Sequence, residues 1–164
     1  MPRTIQSEEE LSYIAQQLSK SLSSGAILLL EGEIGVGKTT FTRYLCQALN
    51  VPIEDITSPT FTLVQQYDVI PQIYHIDLYR LDGDAEFDSI DIDYYLNMKN
   101  ALVIIEWSEK LGKRLPAQFI KLSLDYPSST SNDVFNSRLL TLTQHNMPVL
   151  QDICDQINFN KTST

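Results

Sequence analysis

Residues 32–39 read Gly-Glu-Ile-Gly-Val-Gly-Lys-Thr and match the pattern G-x-x-x-x-G-K-[ST] at every fixed position. Glycines there allow backbone conformations that other residues avoid, so that successive N–H groups can point at phosphate oxygens. An apolar strand predicted at 26–30 precedes the motif, and a helix predicted at 41–49 follows it and adds its N-terminal dipole to the same anion site. Such a match arises by chance in fewer than about 1% of chains of this length. The motif therefore predicts a phosphate-binding loop, or P-loop, for a nucleoside triphosphate.

Two side chains at the end of this loop have distinct predicted roles. Lys38 supplies a positive charge to the β- and γ-phosphates, and the Thr39 hydroxyl can ligate Mg²⁺. The chain has no N-K-x-D guanine-reading motif, so GTP specificity has no support, and we expect ATP and Mg²⁺ as the bound groups. The candidate nucleotide-binding residues of the loop are Gly32, Glu33, Gly35, Val36, Gly37, Lys38, Thr39 and Thr40.

A P-loop enzyme also needs an acidic residue at the end of a neighbouring strand, where it holds the metal and orients water. Asp77 follows a predicted strand that begins at Ile73, and Glu106 follows the apolar run 101–105. Ligands cluster at the carboxyl ends of strands in such sheets, where both acids fall. Both are therefore candidate catalytic residues and candidate metal ligands together with Thr39. The alternative for either acid is a strand cap in solvent, and the sequence leaves open which of them positions the water.

The segment 57–62, Thr-Ser-Pro-Thr-Phe-Thr, lies shortly after the first helix of the motif. Many P-loop proteins carry a nucleotide-sensing segment at this place, and its hydroxyls, that of Thr60 among them, can contact the γ-phosphate and its metal. An ordinary polar turn fits the composition equally well. Two aromatic neighbours of the acids give weaker evidence of function. A structural role is favoured for His75, and a position in the core or the wall of the site is favoured for Trp107.

The order of the predicted elements indicates an α/β layered fold. A helix with a Ser7–Glu10 capping pair is expected at 8–22, and an acidic helical stretch is expected between the strands that end at the two acids. Strands are predicted at 26–30, 73–78, 102–107, 119–124 and 138–143, with a loop at 56–67 that feeds one more. We predict a P-loop NTPase-like fold: a mostly parallel central sheet, helices on both faces, and antiparallel C-terminal strands joined by a polar loop at 127–137.

The expected domain boundary lies near the C-terminus. Residues 1–145 are predicted to form the P-loop ATPase domain, and 146–164 a C-terminal helical appendage and tail. After Pro148, apolar residues keep a helical period, which predicts a short helix packed on the domain and then a frayed tail.

Composition narrows the classes of function. The 164 residues are 43% hydrophobic and 20% charged, as expected for one globular domain. No apolar run approaches the roughly 20 residues that cross a bilayer, and the N-terminus does not resemble a secretory signal peptide, so no membrane association is expected. The two distant cysteines, Cys46 and Cys154, argue against a disulfide framework or zinc site and favour a reducing cytoplasm. The net charge of −9 disfavours nucleic acid held by this chain alone.

An acidic run at 82–93 invites a calcium-site interpretation. It fails as an EF-hand loop, because Phe87 stands where glycine is needed and Asp93 replaces the closing glutamate. A solvated face or a docking surface for a basic partner is favoured.

The segments GEIGVGKTTFTR, SPTFTLVQQY, IYHIDLYRL and IIEW, in this order and spacing, resemble the TsaE family of small ATPases of tRNA threonylcarbamoyladenosine biosynthesis. The resemblance runs from about Ser7 to Thr143, and the HxDLYRL and IEW elements are specific to that family. It implies an ATPase that acts with TsaD and TsaB, which install the threonylcarbamoyl group on an adenosine beside the anticodon. The tRNA would then be contacted indirectly, through the complex.

The resemblance also implies roles for individual residues. The Lys-Thr pair of the loop binds phosphate and magnesium, Thr60 belongs to the switch-like loop, Asp77 belongs to the HxD element, and Glu106 is the magnesium-associated acid. Glu8 and Arg138 fall where the N-terminal segment and last strands of the family approach the nucleotide base.

Two other classes of function remain at this point, a small-molecule P-loop kinase and a nucleotide-gated binding module without catalysis. Kinase lids are usually rich in Arg, whereas segment 81–97 is acidic and contains no Lys or Arg. A binding module would be favoured if the two acids lay far from the metal. The motif set has no obvious arginine finger, so turnover by the isolated chain should be slow, and Arg43 and Arg80 are candidates for recruitment on docking.

Overall fold

The computed structural model describes residues 2–127 and 137–159. Its strands are β1 (Arg3–Ile5), β2 (Ile27–Glu31), β3 (Val64–Tyr67), β4 (Gln72–Asp77), β5 (Ala101–Glu106), β6 (Phe119–Asp125) and β7 (Arg138–His145). Its α-helices are α1 (Glu8–Ser19), α2 (Lys38–Ala48), α3 (Asp84–Ser89), α4 (Ile92–Leu96) and α5 (Gln151–Phe159). Short 3-10 helices cover Ile53–Asp55, Ser108–Arg114 and Pro148–Leu150.

The strands form one mixed sheet in the order β1-β7-β6-β2-β5-β4-β3. β6, β2, β5 and β4 run parallel to one another, and the outer strands β1, β7 and β3 pair antiparallel. β2 and β5 are almost wholly apolar and buried, as expected for parallel strands that helices cover on both faces. The predicted layered α/β fold, with a mostly parallel sheet and an antiparallel β6–β7 pair, is confirmed.

Apolar side chains fill both faces of the sheet. On one face, Leu28 of β2 packs in a core that includes Phe41 of α2 and Cys154 of α5, and α1 contributes further residues. On the other face, Leu29 packs in a second core with Phe87 of α3. Alternate residues of a single strand thus serve both cores, which fixes the register of β2 and the position where the chain leaves it.

The N-terminal part of the chain differs from expectation in two places. The capping pair is present, since the Ser7 hydroxyl accepts the Glu10 N–H at 3.3 Å. The helix ends at Ser19, however, and Leu22 is buried in the turn that follows rather than in the helix. The three-residue strand β1 was not predicted, because so short a segment has no detectable alternation and is defined by its pairing with β7.

The predicted C-terminal helix is present as α5. Asn158 binds both main-chain groups of Leu142, donating to its carbonyl at 2.7 Å and accepting its N–H at 2.9 Å. The Arg3 guanidinium donates to the Ile157 carbonyl at 3.2 Å, so α5 is attached to β1 as well as to β7. The predicted tail at 160–164 and most of the predicted loop, 128–136, lie outside the described residues. Of the helices that are described, none has the length and apolar character needed to cross a bilayer.

The acidic run forms α3 and α4, as the predicted helical stretch requires. Its carboxylates are partly neutralised by two cations that come later in the chain. Arg114 forms ion pairs with Asp84, Asp88 and Asp93, and Lys110 forms one with Asp82. The charge of this surface is therefore lower than the sequence of 82–93 alone suggests.

Candidate functional site

The carboxyl ends of β4 and β5 and the loop after β2 enclose a cavity of about 250 Å³. Parallel strands end at the same edge of a sheet, which explains why residues distant in sequence meet there. The cavity is lined by Ile34, Gly35, Gly37, Lys38, Thr39, Thr40, Thr60, Asp77, Tyr79, Glu106 and Trp107. Five of the candidate loop residues, Thr60 and both candidate acids thus line one cavity, whereas Gly32, Glu33 and Val36 do not line it.

The loop 32–37 approaches the main chain of β6 closely. At Gly32, where φ is +135°, an added Cβ would lie 2.1 Å from the Leu124 carbonyl oxygen, so no larger residue fits. Gly37 immediately precedes α2 and has a φ of +120°, which an L side chain rarely adopts. These glycines let the chain turn sharply into α2, and a loop of this kind before a helix N-terminus can direct its N–H groups toward a bound anion.

Lys38 is buried at the first position of α2. Its ammonium donates to the carbonyls of Gly32 at 2.6 Å and Glu33 at 2.9 Å, and it lies 3.8 Å from the centroid of the Trp107 ring. Burial lowers the pKa of Lys38, and the carboxylates of Glu106, Glu109 and Asp77 oppose that shift. The Lys38 ammonium is therefore partly desolvated and held by the carbonyls of the loop.

Glu106 ends β5 and is 2% exposed. Its Oε2 atom accepts the Thr39 hydroxyl at 2.8 Å, which joins β5 to the start of α2. Its Oε1 atom lies 2.8 Å from Nε2 of His75 on the adjacent strand β4. Both carboxylate oxygens are thus held by residues of regular secondary structure.

Asp77 ends β4 directly opposite Glu106, since the two residues are partners in the β4–β5 register. Its Oδ2 atom accepts the Thr60 hydroxyl at 2.8 Å, and its Oδ1 atom accepts the Tyr79 N–H at 2.9 Å. The Thr60 hydroxyl also lies 2.7 Å from that of Ser58. The segment 57–62 therefore contacts the site through the bond between Thr60 and Asp77.

A second cavity, of about 390 Å³, lies beside the first and shares Gly35, Gly37 and Thr40 with it. Glu8 and Arg138 line it, together with Val36 and residues of the β1–α1 connection. Arg138 donates from Nε to the Val36 carbonyl at 3.1 Å, and its guanidinium lies 4.5 Å from the Tyr126 ring centroid. The two cavities together offer one continuous surface on both sides of the loop, with Glu8 and Arg138 on the side away from the acids.

The oxygen atoms of the site fit a magnesium–nucleotide complex better than a metal bound by protein alone. No group of three or more His, Cys, Asp or Glu side chains able to hold a metal occurs among residues 2–127 and 137–159. The cavity instead offers the carboxylates of Asp77 and Glu106 and the hydroxyls of Thr39 and Thr60. Mg²⁺ is typically held by one or two carboxylates, substrate phosphates and water, which agrees with this set.

Sequence reasoning did not find the contact between His75 and Glu106. A single histidine on a strand carries no signal of its partner, because that partner is contributed by the neighbouring strand. Trp107 lines the cavity as the predicted wall. Arg43 and Arg80 are both exposed, and the Arg80 guanidinium lies 4.5 Å from the Phe61 ring centroid.

Comparison with known proteins identifies the family. The family described as threonylcarbamoyl adenosine biosynthesis protein TsaE matches residues 5–134. The chain belongs to the TsaE family. Proteins named tRNA threonylcarbamoyladenosine biosynthesis protein TsaE are similar to it in sequence. That of Rickettsia conorii is 38% identical over 123 residues, covering 74% of this chain and 69% of the relative. The protein of Haemophilus influenzae is 38% identical over 120 residues, which cover 72% of this chain and 75% of the relative.

A solved structure shows the same fold. The crystal structure of Bacillus subtilis YdiB superposes with a TM-score of 0.70 at 23% sequence identity, covering 96% of this chain and 93% of that one. This chain therefore has the same fold as the YdiB structure. The family is involved in tRNA threonylcarbamoyladenosine biosynthesis.

Proposed function

We propose that this chain binds and hydrolyses ATP with Mg²⁺, as the ATPase subunit of the machinery that makes threonylcarbamoyladenosine in tRNA, and that it acts with TsaD and TsaB in the cytoplasm. Family membership supports the pathway. The observation that carries the ATPase activity is the direct bond between the Thr39 hydroxyl and Glu106 at the end of a complete P-loop motif. The contact between these two side chains supports the proposal, because both are expected to face the same metal ion.

The chain's own residues supply binding and orientation. Lys38 exchanges the carbonyls of Gly32 and Glu33 for phosphate oxygens, which a desolvated ammonium attracts strongly. The hydroxyl of Thr39 and one oxygen of Glu106 offer adjacent ligands at the start of α2. When bound, Mg²⁺ would neutralise charge that develops on the transferred phosphoryl group.

Either Glu106 or Asp77 orients the attacking water. Both line the cavity, and their positions in register at the strand ends place them side by side. Glu8 and Arg138 contact the nucleoside in the second cavity. Slow turnover is expected for the isolated chain, because both candidate arginine fingers are exposed outside the cavity lining. Docking on TsaD and TsaB would then complete the site, and the tRNA would be held mainly by those partners, in agreement with the net charge of −9.

The test is phosphate release from ATP by the chain alone, and again with TsaD and TsaB from the same source. We expect a slow basal rate, marked stimulation by the partners, and loss of both rates in Lys38→Ala. The matched control is Lys99→Ala, which removes an exposed lysine before β5. Equal rates with and without partners would contradict the partnership, and a Lys38→Ala rate equal to the wild-type rate would contradict the ATP site.

A further inference from the structure

His75 is buried next to the site without lining its cavity. The side chain is 1% exposed and lies on β4 two residues before Asp77. Its Nε2 atom is 2.8 Å from Oε1 of Glu106, whereas its Nδ1 atom is buried and has no hydrogen-bond partner among residues 2–127 and 137–159. A buried polar atom without a partner is unusual and calls for a physical reason.

The two oxygens of Glu106 have different partners. Oε2 accepts the Thr39 hydroxyl from α2, and Oε1 is within hydrogen-bond distance of the His75 ring on β4. Nε2 is the ring atom that makes this contact, so the histidine reaches Glu106 through its far nitrogen.

We propose that His75 is a positioning residue for Glu106. This inference rests on the proposed ATPase function. The ring contacts Oε1 from the β4 side, so that Oε2 is the oxygen that Glu106 presents to Thr39 and to the cavity. Outer partners that fix a catalytic carboxylate in this way typically affect activity by 10–100-fold.

Two substitutions of similar polarity separate this role from simple core packing. In His75→Gln, the side-chain amide nitrogen can take the place of Nε2 and donate to Glu106. In His75→Asn, the shorter amide corresponds to the position of Nδ1 and does not reach. We expect His75→Asn to lower the kcat of partner-stimulated phosphate release by about 10–100-fold with the KM for ATP nearly unchanged, and His75→Gln to retain most of the activity.

A second readout needs neither nucleotide nor activity. The chain contains two histidines, and the other, His145, is exposed and stacked on Phe119. Nitrogen-15 NMR of the histidine rings in the nucleotide-free chain, assigned with His145→Gln, tests the contact directly. Glu106→Gln should shift the His75 Nε2 signal and leave that of His145 in place.

The outcomes separate this inference from the proposed function. If the wild-type chain does not hydrolyse ATP, the proposed function fails, and the NMR experiment still decides the His75–Glu106 bond. If the wild-type chain hydrolyses ATP while His75→Asn and His75→Gln have equal kcat values, the positioning role is wrong and the ATPase stands. A His75 Nε2 signal that does not shift in Glu106→Gln would also overturn it. Should neither variant fold, the NMR result alone decides.

Discussion

Asp77 and Glu106 lie opposite one another where β4 and β5 end, yet different kinds of structure hold them. Glu106 is bound by Thr39 at the start of α2 and by His75 within β4. Asp77 is bound by Thr60, which belongs to a segment without helix or strand. One carboxylate is thus fixed between two packed elements, and the other is attached to a loop.

The two acids also differ in how deeply the residues that hold them are buried. His75, which holds Glu106, is 1% exposed, while the loop that holds Asp77 carries Phe61, which is 81% exposed. Regions with few buried contacts open at lower free energy than packed helices and strands. We therefore expect the Glu106 half of the site to be preformed, and the Asp77 half to respond to the nucleotide.

The largest effect is expected at the residue that serves both halves. Lys38→Ala should lower kcat/KM for ATP by about 10²–10³-fold, because the variant lacks the buried cation that faces the phosphates. Isothermal titration calorimetry with ATP and Mg²⁺ should detect no binding to Lys38→Ala. The control variant Lys99→Ala should bind ATP with the wild-type affinity. Wild-type affinity in Lys38→Ala would mean that neither half of the site binds phosphate.

The next largest effect tests the preformed half. Glu106→Gln keeps the size of the side chain but removes its charge, so kcat should fall by about 10²-fold while ATP affinity changes little. Steady-state and single-turnover phosphate release separate the two quantities. Glu54→Gln, at an exposed carboxylate, is the control. An unchanged rate in Glu106→Gln would exclude this residue from catalysis and shift the role of orienting water to Asp77.

A smaller effect is expected in the loop half. Thr60→Val removes the hydroxyl that donates to Asp77, which should cost about 1 kcal/mol of unfolding free energy. Amide hydrogen exchange of segment 57–62 should become faster while that of α2 stays the same, and ATP with Mg²⁺ should slow exchange in the wild-type loop. Thr57→Val is the control, since that side chain is exposed. If hydrogen exchange in α2 became faster by the same factor, the Asp77 half of the site would not be more mobile than the Glu106 half.

The smallest expected change concerns the two thiols, both free and buried. Burial raises the pKa of Cys46 to about 12 and that of Cys154 to about 11. A thiol reagent at pH 8 should therefore label neither in the folded chain and both after denaturation, in wild type and in Thr60→Val alike. Labelling of Cys46 in folded Thr60→Val would show that loosening the loop also loosens α2.

The same thiols predict a dependence of stability on alkaline pH. Above the ordinary thiol pKa of 9.0, the unfolded chain loses the Cys46 proton while the folded chain keeps it until about pH 12. The folded state then binds more protons, so this group lowers the unfolding free energy as the pH rises through that window. Chemical denaturation of Cys46→Ala compared with wild type between pH 8 and pH 10 isolates the contribution.

The parts of the site that the sequence predicted are those with a local signal. The P-loop is continuous in sequence, and both acids directly follow apolar strands. The contacts that it did not predict join separate segments: β1 exists because β7 pairs with it, and His75 meets Glu106 because β4 and β5 are adjacent. The neutralisation of the acidic run was missed for the same reason, since Arg114 follows it in the chain and only folding brings the charges together.

The contacts of Lys110 bear on whether the width of the cavity mouth changes with ionic strength. Its ammonium donates to the carbonyls of Tyr79 at 2.6 Å and Leu81 at 3.0 Å, in addition to Asp82. It thereby ties the chain that leaves β4 to the chain that leaves β5. Dissolved salt screens the exposed Asp82 carboxylate but leaves the two main-chain acceptors bound. The mouth should keep its width across ionic strengths, so that a salt dependence of ATP affinity would not arise from a change in that width.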